Sequence, residues 1–439
     1  MTPPQSRQLE AVIRNDDRHL ARCLIRRGRY VIGQDPKNEI MVNDDSVSSS
    51  HARLTVVSDD EMFIEDLDSA NGTFVDGVAV REMVPVSNES LIQFGSVRLE
   101  FCRSGLPAAV YPLLPTGFLR LPRYALGEAV VQGRTSTIFS ARDLWLSREV
   151  ALRAMLPASQ SSVSHVVRFI REAQITSQLQ HQGITPLYEL SVDDERRLIS
   201  TTRFVEGETL ASALDAIRDG DAGARERFTL SRLVAVMQRV CDVLRYAHDR
   251  GVVHAALRPE AIMLGAYGEV FVTTWGFARI LPLPTDEEGN PIGEVQIHAP
   301  DAQFDPPLSR YSAPEQATAS HDQIGERTDV YALGAILYRI IMLSDAIPGE
   351  SDDTILEAIL TGAVTPPNAA ARPNCPHWPG GRMPEPLANL AMQSLSGSRE
   401  DRPQRVEEFQ HALNVWQEGL VTGDHGKIWK GMSGLLGKG

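Results

Sequence analysis

The sequence predicts a multidomain protein whose first domain is an all-β sandwich. Its 439 residues are enough for two or three domains, each able to bury its own core. From Leu9 to Arg103, short segments with alternating or β-branched apolar residues are separated by turn-forming residues. A proline-rich stretch then interrupts this pattern, and longer amphipathic helices are predicted beyond it. The change of pattern indicates a boundary between two differently built domains.

Strand predictions in the first domain rest on apolar side chains at every second position and on β-branched residues. The predicted strands are Leu9–Arg14, His19–Arg26, Arg29–Gly33, His51–Val57, Met62–Asp66 and Val97–Cys102. Turn chemistry such as Asp35-Pro36-Lys37-Asn38 separates them. Short strands at such regular spacing predict a β-sandwich.

Three loops of this domain carry a family resemblance. They are Gly28–Gly33, Asp45–Ala52 and Asp66–Gly77, and in this order they resemble the loops of an FHA domain. The resemblance spans residues 8–103 and implies a module that binds phosphothreonine peptides through loops at one end of the sandwich. An arginine with neighbouring hydroxyl and amide donors satisfies the phosphate in such a site.

The resemblance assigns candidate phosphopeptide residues and also shows a departure. Ser48 matches the serine that contacts phosphate, Asn71 the asparagine that holds the peptide backbone, and His51 a histidine that ties loops together. Gln34 stands where the family usually has its phosphate-clamping arginine, and Ser49 where a basic residue is common. Charge-assisted hydrogen bonds are roughly twice as strong as neutral ones. We therefore expect weak or absent phosphothreonine binding, with a structural role or an unphosphorylated ligand as the alternative.

Residues 104–122 are predicted to be a semi-rigid linker, because prolines recur within them at Pro107, Pro112, Pro115 and Pro122. Residues 123–417 then resemble a eukaryotic-type Ser/Thr protein kinase, with its motifs in the family's order. The motifs are Val131–Ser136 for the glycine loop, Glu149–Met155 for the VAIK strand, Ile199–Gly207 for the hinge, Gly251–Leu264 for the catalytic loop, Val270–Ala278 for the DFG region, and Ala313-Pro314-Glu315. The resemblance implies an α+β fold of two lobes, followed by a tail at 418–439.

The resemblance also implies a set of nucleotide-pocket candidates. They are Gly133 in the phosphate-covering loop, Arg153 at the anchoring lysine, Glu172 at its ion-pair partner, Thr202 at the gatekeeper and Thr274 at the metal-binding aspartate. A guanidinium does not reproduce a compact ammonium at a nucleotide phosphate. We therefore expect Arg153 and Glu172 to form a structural ion pair.

The residues that carry kinase chemistry are missing from their positions. By resemblance, Ala256 replaces the catalytic base, Ala261 the metal-binding asparagine, and Ala255 the arginine that reads activation-loop phosphate. Thr274 offers a neutral hydroxyl where Mg²⁺ prefers a carboxylate. Because phosphoryl transfer relies on positioning and on metal charge, we expect no catalytic residue and no metal site.

Architectural residues of the same family are retained. They are His254, Gly276, Glu315, Asp329, Gly334 and Arg402, with Glu315 and Arg402 expected to form a buried ion pair. Breaking such a pair costs on the order of 3–5 kcal/mol, so their retention fits a demand for folding. Two segments, Leu281–Leu308 and Ser351–Pro384, are predicted as long loops because they are rich in proline.

Composition limits the functions further. A net charge of -14 argues against nucleic acid or an anionic membrane as the main partner. No apolar run approaches the ~20 residues of a membrane span and no secretory signal is evident, so we predict a cytoplasmic protein. The four scattered cysteines lack zinc-ligand spacing.

These observations favour a pseudokinase scaffold or regulator that binds proteins, such as a phosphoprotein or an active kinase. The pairing of an FHA-like domain with a kinase-like domain resembles bacterial proteins, which implies a bacterial origin. No cofactor is predicted, although ATP bound without metal stays open. One alternative is therefore a nucleotide sensor that performs no transfer. Another is a residual kinase, which would need Asp249, Asp301 or Asp305 as a substitute carboxylate.

Overall fold

A computed structural model describes residues 9–15, 18–58, 61–87, 90–103, 123–193, 197–281, 295, 305–367 and 377–422. The chain divides into two compact units, one formed by Met1–Ser161 with Glu189–Phe204 and the other by Ser162–Tyr188 with Val205–Gly439. The predicted linker at 104–122 and residues 423–439 of the predicted tail lie outside the described residues.

The N-terminal strands form two sheets. They are β1 (Leu9–Asn15), β2 (Arg18–Ile25), β3 (Gly28–Gly33), β4 (Ile40–Met41), β5 (Ala52–Ser58), β6 (Glu61–Asp66), β7 (Thr73–Val75), β8 (Val78–Ala79), β9 (Val84–Val86), β10 (Ile92–Phe94) and β11 (Val97–Arg103). One sheet has the order β2-β1-β11-β10-β7-β8 and the other β4-β3-β5-β6-β9. A single hydrophobic cluster takes Leu54 and Ile64 from the second sheet and Phe94 from the first. The predicted sandwich and its predicted strands are confirmed.

A separate sheet follows, which apart from Leu187 and Tyr188 belongs to the first unit. Its strands are β12 (Tyr124–Gln132), β13 (Ser136–Asp143), β14 (Arg148–Met155), β15 (Leu187–Val192) and β16 (Leu198–Arg203), in the order β12-β13-β14-β16-β15. Alternate residues Val150, Leu152 and Ala154 of β14 are buried together with Ile199 of β16. The short helix α1 (Pro157–Gln160) follows β14, and Leu198 N–H donates to its Gln160 Oε1 at 2.6 Å.

The second unit is mainly helical. Its helices are α2 (Val163–Gln178), α3 (Leu210–Asp219), α4 (Ala222–Arg227), α5 (Leu230–His248), α6 (Pro314–Ala317), α7 (Glu326–Met342), α8 (Asp352–Thr361), α9 (Glu385–Ser394) and α10 (Val406–Thr422). Its strands are β17 (Gly207–Thr209), β18 (Val252–Val253), β19 (Ile262–Gly265), β20 (Val270–Val272) and β21 (Arg279–Ile280). Helix α7 is buried on nearly every side and shares one core with α5 and α10. A sheet lobe and a helical lobe thus confirm the predicted α+β class.

The prediction of a continuous loop at Ser351–Pro384 is wrong, because α8 occupies its first part. The Ser351 side chain accepts from Thr354 N–H and caps the helix, and Gly362 ends it at φ +67°. Ile355 and Ile359, one turn apart, bury the inner face. The prediction gave the later prolines more weight than this helical spacing. Most of the second predicted loop, Leu281–Leu308, lies outside the described residues.

None of the helices in the described part of the chain combines the length and apolar character that a membrane crossing requires.

Candidate functional site

His51 connects the loops at one end of the N-terminal sandwich. Ser48 N–H donates to His51 Nδ1 at 3.0 Å, so Nε2 carries the proton and donates to the Gly72 carbonyl at 3.2 Å. The ring is fully buried and lies against Phe94, with 5.4 Å between ring centroids. Burial lowers the pKa of His51, which keeps the imidazole neutral. This geometry fits the structural role predicted for His51.

The candidate phosphopeptide residues lie on loops that hydrogen-bond to one another. Gln34 donates from its backbone N–H to the Ser48 carbonyl at 3.1 Å and from Nε2 to the Asp44 carbonyl at 2.7 Å. Asn71 Nδ2 donates to the Ser46 carbonyl at 2.8 Å. The amides of both residues therefore stabilise the loops.

Ser48 and Ser49 behave differently from each other. Ser48 Oγ accepts from the Ala70 N–H at 3.0 Å and keeps its own proton as a donor. Ser49 is exposed, and its carbonyl accepts from the Asp35 N–H at 3.0 Å. Ser48 thus connects two of the converging loops, whereas the Ser49 side chain faces solvent at the loop surface.

Gly133 closes the turn between β12 and β13. Its N–H donates to the Ser136 carbonyl at 2.9 Å, and a β-carbon at this position would lie 2.8 Å from that oxygen. The glycine is therefore required for the close approach of two strands. Arg153 on β14 donates from Nε to Ser136 Oγ at 2.8 Å.

Thr202 lies on the same face of the sheet as Arg153. Thr202 pairs with Ala151 across β14 and β16, and Ala151 is two residues from Arg153. Directly opposed residues share a face, and residues two apart in a strand also share one. The structure thus places Arg153 and Thr202 together on one sheet surface.

Glu172 lies on α2 in the second unit, close to the backbone of the predicted DFG region. A β-carbon on Gly276 would come within 2.7 Å of Glu172 Oε2, so the glycine lets the Glu172 carboxylate lie against this backbone. Glu172 and Arg153 belong to different compact units, and the ion pair between them stays a prediction.

The loop Gly251–Leu264, which is predicted to be the catalytic loop, is anchored by the buried carboxylate of Asp329. Its Oδ2 accepts from the His254 N–H and its Oδ1 from the Ala255 N–H, both at 2.8 Å. His248 Nε2 lies 2.8 Å from Oδ2. Burial alone raises the pKa of Asp329, but the hydrogen bond and charge of His248 outweigh it and lower that pKa. The carboxylate is therefore ionised and fully engaged.

The side chain of His254 fixes the loop from the other side. His254 Nδ1 accepts from the Ala256 N–H at 3.3 Å, and Nε2 donates to the Thr273 carbonyl at 2.9 Å. Its ring lies 4.7 Å from the Trp275 ring. Burial lowers the pKa of His254, so the imidazole is neutral in this arrangement. The catalytic loop and the predicted DFG region are thereby joined.

Two residues of the site adopt left-handed backbone conformations. Ala255 has φ +58° and Thr274 has φ +68°. Such conformations cost a non-glycine residue on the order of 1–3 kcal/mol and persist where surrounding contacts impose them. At Ala255 the contacts are the Asp329 carboxylate and Gln316 Nε2, which donates to the Ala255 carbonyl at 2.6 Å.

The residues at the two predicted metal-ligand positions, Ala261 and Thr274, are poor ligands for Mg²⁺. Ala261 has only a methyl side chain, and its carbonyl accepts from Thr273 N–H at 2.8 Å and Thr273 Oγ1 at 3.1 Å. Thr274 offers a hydroxyl, 3.3 Å from Thr273 Oγ1. Nowhere in the described ranges are three or more His, Cys, Asp or Glu side chains arranged to hold a metal ion. The residues present do not fit the carboxylate-bound magnesium of a phosphotransfer site.

The carboxylates considered as substitutes have other surroundings. Asp305 Oδ1 accepts from Arg279 Nη2 at 2.9 Å and lies 3.4 Å from His321 Nδ1. Asp249 is the C-terminal cap of α5. Asp301 lies outside the described residues.

A cavity of about 90 Å³ opens beside the catalytic loop. It is lined by Ala255, Ala256, Leu257, Arg258, Thr274, Phe277, Pro306, Pro307, Ser309, Tyr311, Ser312, Gln316, Thr328, Asp329 and Ala332. Of the four positions predicted to be degenerate, Ala255, Ala256 and Thr274 line this cavity, and Ala261 is not among its lining residues.

The large-lobe ion pair has the predicted geometry. Arg402 Nη1 donates to Glu315 Oε1 at 2.9 Å and Nη2 donates to Oε2 at 3.0 Å. Thr328 Oγ1 adds a third hydrogen bond to Oε1 at 2.8 Å. The predicted pair between Glu315 and Arg402 is thus present and bidentate.

Comparisons with known proteins agree with this architecture. A family model described as protein kinase domain matches residues 124–414, and one described as FHA domain matches residues 30–95. Serine/threonine-protein kinase PknD of Chlamydia trachomatis serovar L2b (strain UCH-1/proctitis) is 27% identical over 313 residues, covering 68% of this chain and 32% of that protein. The same-named protein of Protochlamydia amoebophila (strain UWE25) is 27% identical over 318 residues, covering 67% and 30%.

A third relative, serine/threonine-protein kinase PknD of Chlamydia muridarum (strain MoPn / Nigg), is 28% identical over 319 residues, covering 68% of this chain and 32% of that protein. The chain spans about a third of the length of these curated relatives. The sheet lobe and the helical lobe, matched by the kinase model over residues 124–414, place the chain among kinase-like proteins. Because the kinase model matches more than half of the chain, the chain belongs to the protein kinase family and carries an FHA domain before that domain.

Sequence reasoning missed several partners in this site. His248 and Gln316 bond to the loop anchor and to the loop itself, and Ser309 and Ser312 line the cavity. His248 is the last residue of α5, and the amphipathic pattern of that helix in the sequence was a usable signal. The two serines carried no such signal, because their role depends on tertiary packing.

Proposed function

We propose that this chain is a pseudokinase with an N-terminal FHA module, acting through protein binding as a scaffold or regulator in phosphorylation signalling. We place its domains at 8–103 and 123–417, joined by the linker at 104–122 and followed by the tail at 418–439. Under this proposal the chain transfers no phosphate and binds no metal. Its partners are proteins, including a phosphoprotein or an active kinase.

The observation that carries this proposal is a loop whose supporting hydrogen bonds are present while the predicted base and metal-ligand positions have no carboxylate. Asp329 and His254 hold the catalytic loop through backbone hydrogen bonds of 2.8–2.9 Å. Yet Ala256, Ala261 and Thr274 supply no carboxylate at the positions of base and metal ligands. Phosphoryl transfer depends on metal charge and on a positioned base, so a framework without them supports binding rather than transfer.

Two alternatives have support of their own. The relatives bear the name of serine/threonine-protein kinases, which favours a residual kinase. Arg153 and Thr202 share one face of the sheet in the first unit, which favours ATP binding without metal and hence a nucleotide sensor. A single set of measurements separates these alternatives from the scaffold.

The test is isothermal calorimetry and thermal shift of the full chain with ATP, with and without Mg²⁺ or Mn²⁺, followed by a radiolabelled transfer assay. The kinase PknD of Chlamydia muridarum serves as the positive control. We expect no label in the protein or in a general acceptor. Metal-dependent ATP binding with label incorporation would contradict the proposal, and saturable metal-independent binding without label would favour the sensor.

The FHA module needs a separate experiment. We expect phosphothreonine peptide libraries to bind weakly or not at all, because the Gln34 amide donates to the Asp44 carbonyl and brings no charge to a phosphate. Fluorescence polarisation with phosphorylated and unphosphorylated libraries measures this. Micromolar phosphothreonine binding that the Ser48→Ala variant abolishes would overturn the expectation.

A further inference from the structure

We propose that the cavity beside the catalytic loop receives an acidic side chain of a partner protein, carrying either a carboxylate or a phosphate monoester. This proposal rests on the proposed function, since it names how a chain that transfers no phosphate engages its partner. The cavity suits such a group in its size, its charge and its hydrogen-bond donors.

The cavity is large enough only for the terminal group of a side chain. Its volume is about 90 Å³. Pockets for small molecules measure roughly 300–1,000 Å³, and a cavity of about 150 Å³ holds benzene. A nucleotide or a drug-sized ligand therefore does not fit, whereas a carboxylate or phosphate group at the end of a peptide side chain does.

The charge of the cavity favours an anion. Arg258 is the cationic residue among the described lining residues, and Asp329 is the acidic one. The Asp329 oxygens already accept from His254, Ala255 and His248, so this carboxylate is turned toward the loop framework. A kinase base at position 256 would repel an anion, whereas Ala256 removes that charge and also leaves space.

Arg258 is available to a ligand at the surface. Its side chain is 48% exposed, and its Nε lies 3.8 Å from Glu260 Oε2, which is 49% exposed. Such a long, solvated ion pair contributes little stability and is readily exchanged. An incoming carboxylate or phosphate competes with Glu260 and gains a charge-assisted contact with the guanidinium.

Hydroxyl groups complete the site. Ser309 N–H donates to Ser312 Oγ at 3.0 Å, and Tyr311 N–H donates to Ser309 Oγ at 3.3 Å. The two serine hydroxyls lie 3.4 Å apart, so one donates to the other and the second keeps its proton for a ligand. The Thr274 hydroxyl donates to Thr273 Oγ1, because Thr273 already donates to the Ala261 carbonyl. The wall of the cavity thus offers a serine hydroxyl donor together with Arg258, and a neutral donor beside a cation suits an oxyanion.

The test uses the full chain and short fluorescein-labelled peptide libraries that differ only in a fixed central residue: Glu, phosphoserine or Gln. We expect the Glu or the phosphoserine library to bind about five- to tenfold more tightly than the Gln library, and the better of the two identifies the anion source. The Ser48→Ala variant is the control for the FHA module and retains this preference.

Variants locate the binding. Ala256→Asp and Ala256→Asn fill the same space, but Asp alone adds charge, so we expect Asp to abolish the preference for acidic peptides and Asn to weaken binding of all libraries equally. Arg258→Gln removes the preference, whereas Glu260→Gln strengthens it. Thermal unfolding confirms that each variant is folded.

Equal binding of the three libraries, no binding of any of them, or equal effects of Ala256→Asp and Ala256→Asn would overturn the proposal. The transfer assay described above is independent of these measurements. Label incorporation would contradict the proposed function, whereas charge-independent peptide binding contradicts this inference alone.

Discussion

Replacing Glu315 by Gln tests whether the retained residues of this domain serve its folding. Both side chains of the pair are almost fully buried, with 0% exposure for Arg402 and 2% for Glu315. The glutamine keeps the shape of the glutamate but turns an amide donor toward a guanidinium donor. It also leaves the Arg402 charge buried without a counterion, which is the main cost.

The expected loss of unfolding free energy is about 3 kcal/mol, at the lower end of the ~3–5 kcal/mol typical for a broken buried pair. The lower end applies because Arg402 keeps hydrogen bonds to the Ser396 carbonyl at 2.8 Å and the Arg327 carbonyl at 3.1 Å. The guanidinium also lies 5.0 Å from the Tyr331 ring centroid. At roughly 2 °C per kcal/mol for a large domain, the melting temperature falls by about 6 °C.

Chemical denaturation of the full chain measures this loss for Glu315→Gln, Arg402→Met and the double variant. The double variant loses less free energy of unfolding than the two single variants together, because it buries no charge without a counterion. Glu400→Gln is the matched control, since Glu400 is 77% exposed and 3.5 Å from Arg327. A loss below about 1 kcal/mol for Glu315→Gln, or additive single effects, would refute the reasoning.

The same pair predicts a pH dependence. Burial raises the pKa of Glu315, but the hydrogen bonds and charge of Arg402 outweigh it and lower that pKa below its ordinary value of 4.5. As the pH falls, Glu315 is therefore protonated in the unfolded chain at a higher pH than in the folded chain. The stability that this pair contributes is complete above pH 4.5 and is lost as the pH falls below it. The Glu315→Gln variant lacks this acid-dependent loss.

Three further perturbations probe a buried carboxylate, two buried imidazoles and the charge of the FHA loops. Asp329→Asn lowers the free energy of unfolding by about 3–5 kcal/mol in the same denaturation assay, because buried donors lose an ionised acceptor. Asp219→Asn at an exposed position is the control, and a similarly small loss for both variants would contradict the prediction. Burial lowers the pKa of His51 and of His254, so stability falls as the pH drops below 6.5, where the unfolded imidazoles protonate first. Melting curves of His51→Gln between neutral and mildly acidic pH therefore show a smaller slope than the unchanged chain. Gln34→Arg gains about tenfold in phosphothreonine-peptide affinity by fluorescence polarisation, and an unchanged affinity would contradict the role assigned to the missing charge.

Much of the fold was predictable where the pattern extends over enough residues. The strands β1, β5 and β6 run for six or seven residues, which is long enough for alternation to appear. The strands β4 and β8 have two residues each and carry no periodicity. Their pairing is set by neighbouring strands, so only the folded chain defines them.

The site was predictable in its positions but not in its contacts. The motif around His254 locates Ala256 and Ala261, because its residues are consecutive in the chain. The anchor at Asp329 receives bonds from residues 74, 75 and 81 positions away. Such distances in sequence leave no periodic signal, and the hydroxyls of the cavity wall are likewise assembled only by folding.

The hydrogen bonds that hold the predicted catalytic loop do not depend on the side chains at its predicted chemical positions. The left-handed conformation at Ala255 is held by two hydrogen bonds that use its backbone N–H and carbonyl. Neither bond involves a side chain at positions 255, 256 or 261. The alanines at these positions therefore take no part in holding the backbone path. Under the proposed function, the short side chain of Ala256 leaves room beside Arg258, and an acidic group of a partner protein occupies that room.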